Sequence, residues 1–186
     1  MKHSLVVFAL MAMSGMAFAE GFSYSYVQAT YGTVDVDSGV FSEDGDGLGL
    51  KGSFGITDNL HIVGSYQKVD LDLTGDVDFL TAGLGVNAPV TEMIDVVGSV
   101  SFVDLEAPGF SDDGFELAAG VRVSVTSLVE IDAGITYQDL DLGGDDTGFG
   151  GGVLFNVTDS IALGLAASWL DDVSQYSATA RWYFGK

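Results

Sequence analysis

The chain has 186 residues, 47% of them hydrophobic, with 26 glycines, two prolines and no cysteine, a composition that excludes a disordered chain and a disulfide-built one. Its formal charge of −21, from 27 acidic against six basic residues, repels nucleic acid and anionic head groups and attracts divalent cations. With no cysteine and two histidines, a thiol nucleophile and a zinc cluster are also excluded.

Residues 1–19, MKHSLVVFALMAMSGMAFA, combine a short basic start, an apolar run from Leu5 to about Met16 and the small-x-small triplet Ala17-Phe18-Ala19. This pattern predicts a secretory signal peptide cleaved before Glu20, leaving 20–186 as one domain. The apolar run is shorter than the roughly 20 residues of a spanning helix, and no later segment is an unbroken apolar run of that length. Losing Lys2 with the signal takes the charge to −22.

Down the remaining chain, four short segments resemble one another: ITDNL at Ile56, VTEMI at Val90, VTSLV at Val125 and VTDSI at Val157, spaced by 32 to 35 residues. Period-two alternation flanks each, so each reads as the turn of an antiparallel hairpin. Taken as three-residue turns, they pair Phe54 with Ile62, Ala88 with Val96, Val123 with Ile131 and Phe155 with Leu163 on one apolar face. In the third hairpin the opposite face sets Ser124 against Glu130 and Arg122 against Asp132.

Four tight turns at one end, with both termini at that end, require five connections at the other end and ten strands. The predicted strands are 24–34, 47–56, 60–71, 77–90, 94–104, 115–125, 129–139, 149–157, 161–170 and 175–184. Most have the roughly 9 to 11 residues of a transmembrane β-strand. The five far connections carry 20 of the 27 acids, including Glu43, Asp44 and Asp46 in the first and Asp139, Asp141, Asp145 and Asp146 in the fourth. Short turns at one rim and longer polar loops at the other are the asymmetry of an outer-membrane barrel.

Two arrangements satisfy the alternation: apolar rows outward in lipid, or inward as in a soluble barrel that binds an apolar ligand. The second face chooses between them. It is made of Gly49, Lys51, Ser53 and Gly55, of Gly83 and Gly85, and of Ala162, Gly164, Ala166 and Ser168. These residues fit a narrow lumen, whereas a soluble exterior is charged. The expected fold is therefore a closed antiparallel up-and-down transmembrane β-barrel, all-β, with Tyr137, Phe149, Trp169, Trp182 and Phe184 contributing to aromatic girdles. Inside it, Lys51, Arg122 and Arg181 meet His61, Glu130, Asp132 and Gln138, since buried charges need partners.

These features resemble the small outer-membrane β-barrel proteins of Gram-negative bacteria, of the OmpA/OmpX type. The last strand, YSATARWYFGK, resembles that family's terminal assembly signal, with Tyr176, Ala178, Ala180, Trp182 and Phe184 alternating outward, although Gly185 and Lys186 follow the aromatic residue at which the family strand usually stops. The segments SYSYVQATYG and DGDGLGLKGSFGITDNLHIVGSY are similar to a group of small surface barrels from xanthomonads and relatives. The resemblance implies residence in the cell outer membrane, contact with its lipid and lipopolysaccharide, delivery by periplasmic chaperones to the barrel assembly machinery, and a monomer.

Enzymatic barrels of related families keep a histidine base near the outer rim. Here the sole histidine of 20–186, His61, falls beside the Thr57-Asp58-Asn59 turn at the opposite end, so a non-enzymatic protein is expected, with no cofactor. The acidic loops read as a solvated surface; Ca2+ or Mg2+ held by Glu43, Asp44, Asp46, Asp139, Asp141, Asp145 and Asp146 is the softer expectation, and bridging to lipopolysaccharide phosphates its use. The function expected is structural or surface-interacting, with a narrow porin-like pore for small solutes or cations as the alternative.

Overall fold

A computed structural model describes residues 22–37 and 42–184; the expected signal peptide lies outside the described residues. Ten strands follow in chain order: β1 (Tyr26–Asp37), β2 (Ser42–Gly55), β3 (Leu60–Leu71), β4 (Gly75–Thr91), β5 (Ile94–Ala107), β6 (Phe110–Thr126), β7 (Val129–Leu140), β8 (Gly144–Asn156), β9 (Ile161–Leu170) and β10 (Val173–Tyr183). Each pairs antiparallel with its neighbours in sequence, and β10 pairs with β1. The barrel is closed and up-and-down, so no edge is left with unpaired backbone groups.

All four predicted registers are present: Phe54 opposite Ile62, Ala88 opposite Val96, Val123 opposite Ile131 and Phe155 opposite Leu163. The repeated threonine explains the repeat. Thr57 Oγ1 accepts from the Leu60 amide at 3.0 Å, Thr126 Oγ1 from Val129 at 3.0 Å and Thr158 Oγ1 from Ile161 at 3.0 Å, while Thr91 Oγ1 accepts from Met93 at 3.1 Å. The hydroxyl thus satisfies amides that the turn takes out of the ladder. Two turns are tighter than the three residues expected. Thr91 pairs with Ile94 and Thr126 with Val129, and a bulge beyond each, at Val90 and Val125, restores the predicted register.

The far end departs from the expectation of longer loops. The strands run on through the acidic stretches, and the described connections are Asp72–Thr74, Pro108–Gly109, Asp141–Gly143 and Asp171–Asp172; the fifth, 38–41, lies outside the described residues. The physical reason is visible in Val69-Asp70-Leu71 and Val103-Asp104-Leu105-Glu106, where acids alternate with aliphatics at period two. Such a pattern makes strand with a charged and an apolar face, and not loop. Gly75, Gly109 and Gly144 take φ of 87°, 77° and 88°, the left-handed conformation that lets these short turns close.

The outward residues of the lower barrel, among them Leu50, Ile62, Leu84, Val100, Leu117, Ile135 and Leu165, are exposed aliphatics. On β6 this band runs from Phe115 to Val125, and ten steps of ~3.3 Å on a strand tilted by about 40° give roughly 25 Å, the height of a lipid-facing band. Eight outward aromatics, Tyr31, Tyr66, Phe102, Phe115, Tyr137, Phe149, Trp169 and Tyr176, crown it. Several are in ring contact: Phe115 with Tyr137 at 6.1 Å, Phe149 with Trp169 at 5.3 Å and Trp169 with Tyr176 at 6.2 Å between centroids. Above this girdle the outer face is acidic.

Candidate functional site in the lumen

At the acidic end the lumen is filled with hydrocarbon. Val34, Val36, Val69, Leu71, Val77, Phe79, Val103, Leu105, Leu140 and Val173 point inward and form one buried cluster, with Ala107 and Phe110 against it. Two interior carboxylates seal its top. Glu43 accepts from the Leu73 and Thr74 amides at 2.5 and 2.6 Å and from the Thr74 hydroxyl at 2.8 Å. Asp112 accepts from the Leu142 amide at 3.1 Å and the Gly143 amide at 2.8 Å. The two turns held in this way, DLDLTGD at 70–76 and DLDLGGD at 139–145, are near-copies of each other.

Glu43 is therefore an interior turn cap, which is a correction to its expected place in a cation-binding loop. Asp44 and Asp46 lie outward on β2 and Asp139 outward on β7, Asp141 is in the β7–β8 turn, Asp145 faces outward on β8, and Asp146 is half-buried, pointing inward. Across the strands like charges stand directly opposite: Asp35 with Asp44, Asp46 with Asp70, Asp70 with Asp76, Asp78 with Glu106, Asp104 with Asp113 and Asp139 with Asp145. Lys68, which pairs with Asp76, is the one outward-facing cation among the described residues. Among those residues no group of three or more Asp, Glu or His is gathered closely enough to hold a metal ion.

Below the aliphatic cluster the inward residues turn polar: Gln28, Thr30, Gln67, Ser101, Thr136, Gln138 and Gln175 are all buried. A cavity of about 30 Å³ beside Gln28, Asp132, Gln175 and Arg181 has room for about one or two waters. The charged residues follow at the tight-turn end. Arg122, fully buried, makes its ion pair with Glu130, although Asp132 is its opposite in register. A twisted sheet lets a long side chain reach the diagonal neighbour, and Asp132 instead accepts from the Gly152 backbone.

Arg181 donates through Nε to Gln28 Oε1 at 2.9 Å and lies over the Tyr26 ring, 4.5 Å from its centroid. Lys51 faces the lumen half-buried and within electrostatic reach of Glu116, Asp132 and His61. His61 points inward where Gly85 makes room: a Cβ there would lie 2.1 Å from Nε2. Lys51, His61, Arg122, Glu130, Asp132 and Arg181 thus face the lumen towards the tight-turn end, with Gln138 nearer the aliphatic cluster.

Sequence reasoning missed the residues in front of β1. Phe22 lies under the guanidinium of Arg122, a long side chain carried by the wall opposite β1, 5.0 Å from ring centroid to Cζ. Tyr24 stacks on His61 at 4.4 Å and donates its hydroxyl to Asp95 at 2.9 Å. The signal was in FSYSYVQ. Phe22, Tyr24 and Tyr26 continue the phase of Gln28 and Thr30, which is the inward phase, whereas aromatics of the lipid face occupy the other one.

Residues 5–153 match the family model described as outer membrane protein beta-barrel domain. No curated protein matches by sequence. Two similar solved structures are a KdgM porin in complex with disordered oligogalacturonate and the COG4313 outer membrane channel from Pseudomonas putida F1. The first has a TM-score of 0.52 at 9% identity, covering 86% of this chain and 99% of the porin. The second has a TM-score of 0.57 at 10% identity, covering 89% of this chain and 97% of the channel. At such identities the likeness is one of fold. With its closed ten-strand barrel and a family match over most of its length, the chain belongs to the outer membrane protein beta-barrel domain family and is a protein of the outer membrane.

Proposed function

We propose that this protein is a sealed, non-enzymatic surface barrel that holds a rigid acidic rim outside the membrane. One observation carries the reading: ten mutually packed aliphatic and aromatic side chains fill the lumen at the acidic end. A solute path through that cluster would require displacing a close-packed core. The side chains that do the work face away from the lumen, in the ring of opposed carboxylates above the aromatic girdle. That ring concentrates divalent cations as a diffuse layer, and bridging to lipopolysaccharide phosphates is its use beside the membrane. The barrel works as a monomer delivered by periplasmic chaperones to the barrel assembly machinery.

Planar-bilayer recording of the refolded barrel tests the seal. The expected trace is silent at voltages where a porin conducts. Stable conductance steps would overturn the reading in favour of the second one, a narrow pore for small solutes or cations, which the fold shared with a porin supports.

A further inference from the structure

We infer that residues 22–25 form a strap that closes the tight-turn mouth of the barrel and is built to be released. The argument starts from where the segment goes. It precedes β1, and β6, which carries Arg122, stands five strands from β1 in either direction around the ring. A segment that only extended β1 would stay on its own wall. Phe22 instead turns into the lumen and meets the guanidinium that Arg122 extends from the opposite wall, while Tyr24 meets His61 of β3 and Asp95 of β5.

The strap is anchored firmly at its base and by separable contacts at its tip. At the base, Ser53 Oγ donates to the Tyr24 carbonyl at 2.7 Å, the Gly55 amide donates to Ser25 Oγ at 3.2 Å, and the Phe184 amide to the Ser25 carbonyl at 3.0 Å. At the tip, beyond a single backbone bridge at Phe22, the side chains make a cation–π contact, a ring stack and one phenol–carboxylate hydrogen bond, each with a group that the barrel wall carries independently of the strap. Withdrawing two aromatic side chains would join the polar chamber of Gln28, Asp132 and Arg181 to the periplasm while leaving the pairings of β1 to β10 intact. This inference concerns the opposite mouth from the aliphatic seal and stands whether or not that seal conducts.

The chain has no cysteine, so a single introduced thiol reports without background. Val97→Cys on β5 puts one on the inward face, two residues beyond Asp95. The rate at which a water-soluble thiol reagent labels it is compared between the native strap and Phe22→Ala/Tyr24→Ala, each first shown to be folded by its heat-modifiable gel band. Labelling more than about tenfold faster in the double variant is expected. Tyr24→Phe, which removes one hydroxyl and keeps the ring, carries the test if the double variant does not fold, with an expected acceleration of about fivefold. Equal rates, whether fast or slow, would overturn the strap.

Discussion

Along β5 the wall changes solvents within four residues. On the membrane side of the crossing, Ser101 faces the lumen and Phe102 faces lipid; on the far side, Val103 faces the lumen and Asp104 faces water. β3 crosses between Tyr66 and Lys68, and β7 between Tyr137 and Asp139. One half of the barrel is a membrane protein, apolar outside and polar inside, and the other half is a soluble one with the signs reversed. Neither backbone pairing nor period changes at the boundary. What changes is the solvent, and the side chains on both faces exchange chemistry to suit it.

That contrast is sharpest for one residue type. Leu105, in the upper lumen, is 1% exposed, and Leu163, on the lipid face, is 50% exposed. Leu105→Ala should cost about 2–5 kcal/mol, because it leaves a cavity in a packed core. Leu163→Ala should cost about 1 kcal/mol or less, because lipid tails are as apolar as leucine and refill the space. Urea midpoints of the refolded barrel in detergent measure both. Equal losses would mean that the aliphatic cluster is not a core.

Charge reverses the ranking between the two halves. Val100→Arg introduces a cation into the upper part of the lipid band, one outward position below the girdle residue Phe102, and should cost about 1–2 kcal/mol, between the midplane and interface values. Asp104→Lys, four residues along the same outward face, should instead gain about 0.2–1 kcal/mol, since it replaces a like-charge pair with Asp113 by an opposite one. The folded fraction on an unboiled gel across a urea series would report both. A loss at Asp104→Lys as large as that at Val100→Arg would move the lipid boundary above the aromatic girdle.

How much of this was legible in the sequence follows from the same division. Strand count, closure and the four hairpin registers could be read because period two does not depend on solvent. The threonine repeat marked every turn at one end. The face assignment read from Gly49, Lys51, Leu50 and their neighbours holds only below the girdle. Applied to the whole barrel, it left Leu105-Glu106 and Asp112-Asp113 outside the predicted strands, when these residues make strand with the faces exchanged. Register correctly sets Asp132 opposite Arg122, but the ion pair goes to Glu130, which side-chain length and twist select and which register alone does not show. Phe22 lay in the correct phase but ahead of the first predicted strand, and Tyr24 was its first residue, where alternation had no partner strand to check it.

The smallest expected effect tests whether the upper half behaves as a water-facing rim. Asp146 points inward just below the tips of the β7–β8 and β9–β10 turns, and its carboxyl is pushed up, first by burial and then by the charges of Asp171, Asp145 and Asp172. A raised carboxyl means that the folded state holds its proton more tightly than the unfolded chain does. Asp146 then weakens the fold once pH has risen through its folded value, and that penalty vanishes below the unfolded value of about 4. Asp146→Asn should therefore raise the urea midpoint near pH ~7 and leave it unchanged near pH ~3. Added salt should shrink the neutral-pH gain by screening the three neighbouring carboxylates, while the part due to burial survives. A gain that salt erased completely would assign the whole shift to the neighbours and make this part of the rim more open to water than its half-buried side chain implies.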